Sequence, residues 1–399
     1  MEACVIWVFA PVIRERLLMA RRASTVLSFP LAKIFFGEGW RPSGGLISPG
    51  GAGWPFGRLS AVLLGAIFLS CLSLFAQSES PGVAALLEKG QLALDAGDFA
   101  AAAENFEQAR RLAPEEPAAW RGLLLTYLQS KRLSEALAIG RQAIGRWPQE
   151  PTFHHWLGLA YFQSGQKDRA IEVLRGAEQV APRSYEIHYD LALVYLSSRQ
   201  YPQAAEQLEK ALQLNPGVAL AHLLLGRAYL NTNRTLPAVE QFKTALRLDP
   251  RIPLGHYHLG FAYESLGRNA QAIAEFRKEL ALHPNNPEVL YRLGHTLLES
   301  GELSAAAAKL REVIRLDEGR PEAHYDLGKA LFLTGDTPGA TQALRRAIEL
   351  KPDDPNAHYQ LARGLEKLGN RAEATKEFAR FAELKKSQQQ TGGMAYQPH

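Results

Sequence analysis

The sequence predicts an all-α solenoid of nine 34-residue helix–turn–helix repeats, and three observations carry that reading. Ala102, Ala136, Ala170, Ala204, Ala238, Ala272, Ala306, Ala340 and Ala374 stand 34 residues apart with no insertion or deletion. A fixed period of that length marks stacked supersecondary units that bury a shared core between neighbours. Within each period, apolar and small residues fall in two runs with i, i+3, i+4, i+7 spacing, the pattern of two amphipathic helices. Prolines recur where one unit stops and the next begins.

The elements follow in order if each repeat is numbered 1 to 34 from Val83, which puts the alanines at position 20. The first helix is read from positions 4, 7, 8 and 11. Position 7 is Leu123, Leu157, Leu191, Leu225, Leu259, Leu293, Leu327 and Leu361. Position 8 is small (Gly90, Gly158, Ala192, Gly226, Gly260, Gly294, Gly328, Ala362), with Leu124 the exception, and position 11 gives Tyr127, Tyr161, Tyr195, Tyr229 and Tyr263. The second helix is read from positions 20, 24 and 27, the last often alanine (Ala109, Ala143, Ala177, Ala211, Ala245, Ala347). A small residue at position 8 opposite alanine at position 20 is expected to draw the axes together, toward the low end of the usual ~8–10 Å. Proline at position 32 (Pro114, Pro148, Pro182, Pro216, Pro250, Pro284, Pro352) ends the second helix. Proline at position 1 (Pro117, Pro151, Pro253, Pro287, Pro321, Pro355) suits the first turn of the next, where a missing N–H costs nothing.

This pattern resembles the tetratricopeptide repeat family, from Val83 to about Lys386. The resemblance implies a right-handed superhelical α-solenoid over residues 83–388, with repeats starting at 83, 117, 151, 185, 219, 253, 287, 321 and 355. The first and seventh units fit least well. Leu86 and Lys89 replace an aromatic residue and a leucine, while Val313 and Glu318 replace alanine and proline, so a looser junction between repeats seven and eight is expected.

The resemblance also implies that the first helix of each unit lines a concave groove, with positions 2, 5, 6, 9, 12 and 13 pointing into it. Position 5 carries Tyr189, Tyr257, Tyr291, Tyr325 and Tyr359, with His155 and Leu223 in other repeats. Such a stripe suits an extended peptide, since each phenol offers an apolar face and a hydrogen-bonding tip. Tyrosine is also the commonest family residue there. The family often has asparagine at positions 6 and 9, and this chain departs from it. Position 9 reads Leu125, Leu159, Leu193, Arg227, Phe261, His295, Lys329 and Arg363, position 6 includes Trp156, and position 12 adds Leu128, Phe162 and Leu196. The groove is therefore expected to be apolar through repeats two to five and polar, partly basic, beyond. An exposed apolar patch marks a partner surface; the alternative is that tight packing hides these leucines. Neither the lysine–asparagine carboxylate clamp nor the asparagine ladder known from the family is present.

Charge concentrates before the repeats. The chain's net +4 comes from residues 1–76, with seven Lys/Arg against three Asp/Glu, whereas the remaining residues hold 38 of each. A neutral repeat body gives no electrostatic reason to bind nucleic acid. Leu59 to Ala76 runs 18 residues without a charge, after Arg58 and before Gln77-Ser78-Glu79-Ser80. That is the layout of a secretory signal cleaved after Ala76. The alternatives are an uncleaved anchor, since such a length just spans a bilayer, or a lipoprotein start at Cys71. In the first two readings the repeats end outside the cytoplasm, periplasmic or secreted, and any membrane contact runs through residues 59–76. Residues 1–58 read as a disordered or mis-assigned extension, with the true start downstream of Met1, and 389–399 as a disordered tail. Both cysteines, Cys4 and Cys71, precede the repeats, so packing without disulfides must hold them.

No phosphate loop, HExxH, CxxC or GxSxG motif is present, and no catalytic residue, cofactor or metal is expected. Histidine recurs at position 4 (His154, His188, His222, His256, His324, His358). Equivalent residues in stacked repeats stand ~8–10 Å apart, too far to share an ion whose bonds are ~2.0–2.1 Å, so a packing role is expected. His258 beside His256 faces away from it. The function expected is a non-enzymatic protein-binding scaffold of a bacterial-type cell envelope, holding an extended or helical partner segment in the groove. The alternative is an accessory subunit of an envelope secretion, polysaccharide-export or glycan-modifying complex. The sequence leaves the oligomeric state open.

Overall fold

A computed structural model describes residues 81–394; segments 1–58 and 59–76 and the last five residues lie outside the described residues. Among the described residues the fold is an all-α repeat solenoid. Helices α1 (Pro81–Ala96) and α2 (Phe99–Leu112) form the first pair, α3 (Pro117–Gln129) and α4 (Leu133–Arg146) the second, α5 (Pro151–Gln163) and α6 (Lys167–Val180) the third. These pairs belong to one compact unit, which ends at Arg183. A second unit starts at Ser184. It holds α7 (Tyr185–Ser197), α8 (Tyr201–Leu214), α9 (Ala219–Asn231), α10 (Thr235–Leu248), α11 (Gly255–Ser265), α12 (Asn269–Leu282), α13 (Pro287–Glu299), α14 (Leu303–Leu316), α15 (Pro321–Thr334), α16 (Thr337–Leu350), α17 (Pro355–Lys367) and α18 (Arg371–Met394).

The alanine ladder is core: the first eight alanines are 0% exposed and Ala374 is 3% exposed. The small residue at position 8 serves a different neighbour from the one expected. A Cβ on Gly226 would lie 2.5 Å from Phe242 Cε1, one on Gly260 2.7 Å from Phe276 Cε1, and one on Gly158 2.5 Å from Leu174 Cγ. Position 8 therefore makes room chiefly for the large side chain at position 24, and at Gly328 also for the Ala340 carbonyl (3.2 Å). Repeat two departs from this, with Leu124 at position 8 and Gly140 at position 24. The gap at Gly140 takes Leu157 of the next repeat, whose Cδ1 lies 2.9 Å from where a Cβ would be.

The turn inside every repeat has one backbone solution. Position 15 is left-handed nine times: Gly97, Gly165, Gly267, Gly301, Gly335 and Gly369, but also Lys131 (φ 59), Arg199 (φ 57) and Asn233 (φ 58). Glycine takes this conformation freely, whereas an L side chain gives up about 1–2 kcal/mol. The turn closes each first helix so that the second can fold back.

Helix starts match the proline and capping signals at Pro117, Pro151, Pro287, Pro321 and Pro355, each at the first turn. Pro253 is different: α11 starts two residues later, after Leu254 in a left-handed conformation (φ 62). Two departures from the repeat explain it. Position 3 is Gly255, and the Ile252 side chain occupies its missing side chain's place, its Cγ2 2.6 Å from where a Cβ would be. Position 27 is Glu279, 0% exposed where most repeats have alanine. Its carboxylate accepts from the Tyr257 N–H in the helix's first turn (3.3 Å) and meets His283 Nδ1 (2.9 Å).

Two further expectations are corrected. The junction between repeats seven and eight is not loose. Val313 is 0% exposed, His295 meets Asp326 across the junction (2.9 Å), and the Glu318 carbonyl accepts from His324 Nε2 (3.0 Å). Helix α18 continues to Met394, into the segment read as a tail, because Lys386 stands where a stopping proline would be.

Candidate functional site

The position-4 side chains are stitches between repeats. Trp120 Nε1 donates to the Pro114 carbonyl (2.9 Å). His154, His222 and His358 make the same contact through Nε2 with the carbonyls of Pro148 (2.9 Å), Pro216 (2.9 Å) and Pro352 (3.0 Å). The other ring nitrogen often meets position 23 of the second helix: Gln207 for His188 and Gln241 for His222 (2.7 Å each), Glu275 for His256 and Glu377 for His358 (2.6 Å each). Hydrogen bonds to the chain's own carbonyls, carboxylates and amides occupy the nitrogens a metal would need. Among the described residues no group of three metal-ligating side chains comes together.

The first-helix face of the first unit is largely closed. Leu125 (8% exposed) and Leu128 (2%) lie in the core. Leu128 clusters with Trp120, Leu124, Phe153 and Ala160, and Trp156 and Leu159 of the next repeat pack against them. Leu125 joins Leu94, Phe106 and Leu123, again under Trp156. The apolar groove expected at Leu125 and Leu128 becomes core because repeat three lays Trp156, at position 6, and Leu159, at position 9, against their clusters. His155 and Phe162 remain half-buried beside them.

In the second unit the same correction holds at its start. Tyr189 is 1% exposed, Leu193 4% and Leu223 2%. Tyr189 stacks on Tyr185 (5.6 Å) and offers no free ring. Leu196 and Arg227 are half-buried.

From α11 onward the face opens. Tyr257, Tyr291 and Tyr325 are half-buried and Tyr359 is 39% exposed. The expected basic character is locally neutralised by carboxylates. Arg292 lies over the Phe261 ring (4.9 Å) and reaches Glu264 (3.4 Å) and Glu288 (3.3 Å). Arg320 stands over Tyr291 (5.1 Å) and pairs with Glu288 (3.0 Å). His295 Nδ1 meets the buried Asp326 (2.9 Å), and Lys329 meets Glu299 (2.8 Å). Partly exposed pairs of this kind stabilise by about 0–1 kcal/mol each. Their main consequence is order: the pairs to Glu264, Asp326 and Glu299 join neighbouring repeats, and those to Glu288 tie the two ends of repeat seven together.

These contacts set the proton affinities. The hydrogen bond to Asp326 raises His295 above the ordinary histidine value. Burial, then the Asp326 charge, pushes the Tyr291 phenol well above its usual range, and burial raises Tyr325. The hydrogen bond with Glu299 raises Lys329 and lowers Glu299. Burial, then the Arg227 charge, pulls His258 down to about 3, so its ring packs uncharged against Phe242 (5.7 Å) and Tyr257 (5.2 Å). At neutral pH the tyrosines therefore present protonated phenols between held charges, an arrangement for recognition through hydrogen bonds and ring faces.

The face ends on α15 and α17, where Arg363 stands over the rings of Phe332 (5.0 Å) and Tyr359 (5.9 Å) and Lys367 over Phe332 (5.1 Å). Sequence reasoning missed Phe332 and Lys367, at positions 12 and 13, although both follow from the groove positions once α15 and α17 are superposed. It also missed Glu279, whose signal was a charged residue at an alanine position.

The Tetratricopeptide repeat family matches residues 87–151, 141–186, 155–219, 189–237, 223–287 and 291–355, more than half of the chain. No match to a curated protein is found. Among solved structures the chain is similar to MamA from Desulfovibrio magneticus RS-1, at 25% identity over 43% of this chain and 96% of that one, with a TM-score of 0.41. It is similar to YrrB, described as a TPR protein with an unusual peptide-binding site, at 24% identity over 47% of this chain and 96% of that one, with a TM-score of 0.43. It is also similar to PilF of Pseudomonas aeruginosa, at 23% identity over 53% of this chain and 96% of that one, with a TM-score of 0.45.

Proposed function

We propose, from the premise that this chain belongs to the tetratricopeptide repeat family, that it is a non-enzymatic scaffold whose first-helix face binds a segment of a partner protein. A role in protein–protein interaction goes with the family. The finer reading assigns binding to the open part of the face, from α11 to α17. The observation that carries it is the row Tyr257, Tyr291, Tyr325 and Tyr359, held among ion pairs and partly open to solvent. Ordered side chains lose little freedom on binding, which favours an extended or helical peptide.

Capture of the native partner by the full chain tests this. Tyr291→Ala with Tyr325→Ala should weaken capture at least about tenfold, the effect of losing about 1.4 kcal/mol. Leu236→Ser, on the exposed surface of α10, should leave it unchanged. Capture that survives the tyrosine pair but fails with Leu236→Ser would move the site to the second-helix face.

The proposed setting is outside the cytoplasm, in a cell envelope. Its support is the uncharged stretch Leu59 to Ala76 behind Arg58; among the described residues no helix is long and apolar enough to cross a membrane. Mature protein starting at Gln77 would support export with cleavage. Soluble cytoplasmic protein with residues 59–76 intact would contradict it.

A further inference from the structure

The cations of the open face divide into two kinds. Arg292, His295, Arg320 and Lys329 each face a carboxylate within 3.4 Å. Arg363 and Lys367 do not. Both are exposed, both stand over Phe332, and neither forms an ion pair among the described residues. Glu366, the one acidic residue of α17, pairs with neither. The residues that follow Phe332 and Lys367 in the chain are exposed and apolar, Leu333 at 55% and Leu368 at 48%.

A guanidinium held over a ring by attraction to its π face keeps N–H groups for a carboxylate, which it can take in two parallel hydrogen bonds. The ring restrains the side chain before any ligand arrives, which lowers the cost of ordering it on binding. Two such cations over one ring make a local positive charge that no ion pair among the described residues neutralises. The apolar rim suits a neighbouring aliphatic side chain.

We propose that the corner formed by Phe332, Arg363 and Lys367 recognises an acidic peptide segment of the partner, one carrying carboxylates beside an apolar residue. The assignment rests on the scaffold reading above and adds the chemistry of the ligand. Carboxylates approach the Arg363 edge and the Lys367 ammonium, while an adjacent apolar side chain lies against Leu333 or Leu368. Screening by salt weakens such a contact.

Selection of a phage-displayed library of random twelve-residue peptides on the full chain tests it. The expected winners are rich in Asp and Glu next to an aliphatic residue, and bind more weakly as salt rises. Arg363→Glu with Lys367→Glu should weaken them at least about tenfold. Arg371→Glu with Lys376→Glu, exposed cations on α18, should leave them unchanged, and circular dichroism of all variants checks the fold. Neutral or basic winners, acidic winners that bind the Arg363 and Lys367 variant equally, or a dT oligonucleotide that competes as well as the acidic peptides would overturn the assignment. The first two outcomes leave the scaffold reading standing. No enrichment of any peptide would sink both.

Discussion

Gly140 and Leu157 test how one repeat fits against the next. Leu157 is 2% exposed. Leu157→Ala removes most of that side chain, at about 2–5 kcal/mol. Gly140→Leu alone adds bulk where a Cβ would already lie 2.9 Å from Leu157 Cδ1, and overpacking costs about 1–3 kcal/mol. Together the two changes put the added leucine where the truncation leaves space. The losses should therefore not add. The double variant is expected to exceed the sum of the single ones in stability by about 1–3 kcal/mol, the coupling found between residues in contact. A repeat array unfolds in parts, so one global midpoint is a poor gauge. The assay is urea unfolding combined with amide hydrogen exchange over α4 and α5. A double variant no more stable than the sum of the single losses would refute the packing of Leu157 into the gap at Gly140.

Two further predictions concern the turn and the open face. Lys131→Gly and Arg199→Gly each relieve about 1–2 kcal/mol of left-handed strain against about 0.5–1 kcal/mol of glycine's chain entropy. A net gain of up to about 1.5 kcal/mol should appear in urea unfolding, and a loss would show that these turns are not strained. His295, raised by Asp326, should add stability that is complete below the unfolded value of about 6.5 and lost as pH climbs through the folded one. Asp326→Asn should bring the His295 ring proton back toward the unfolded titration in NMR; an unchanged titration would remove Asp326 as the cause.

The helix pairs were legible because the constraint is repeated. Nine alanines in register cannot arise from a chain that packs differently at each turn, and Pro117 or Pro287 marks a helix start from sequence alone. Pro253 shows the limit. It reads like its equivalents, but the start of α11 is decided by Gly255 and Glu279, residues that a consensus treats as poor matches. The groove was legible only as a set of positions. Periodicity places Leu125 and Tyr189 on the first-helix face, but burial depends on what the neighbouring repeat lays over them, and Trp156 does so for Leu125. The ion pairs were accessible in principle. Arg292 with Glu264 and Arg320 with Glu288 are 28 and 32 residues apart, close to one period, so superposed repeats bring them side by side.

The central claim is that a partner segment lies on the first-helix face between α11 and α17. The most direct measurement is site-specific photocrosslinking to the bound partner, with a benzophenone side chain at Tyr325 on that face or at Ala308 on the exposed side of α14. The account predicts a crosslinked product from position 325 and none from 308. Product from 308 alone would contradict it and move the interaction to the second-helix face.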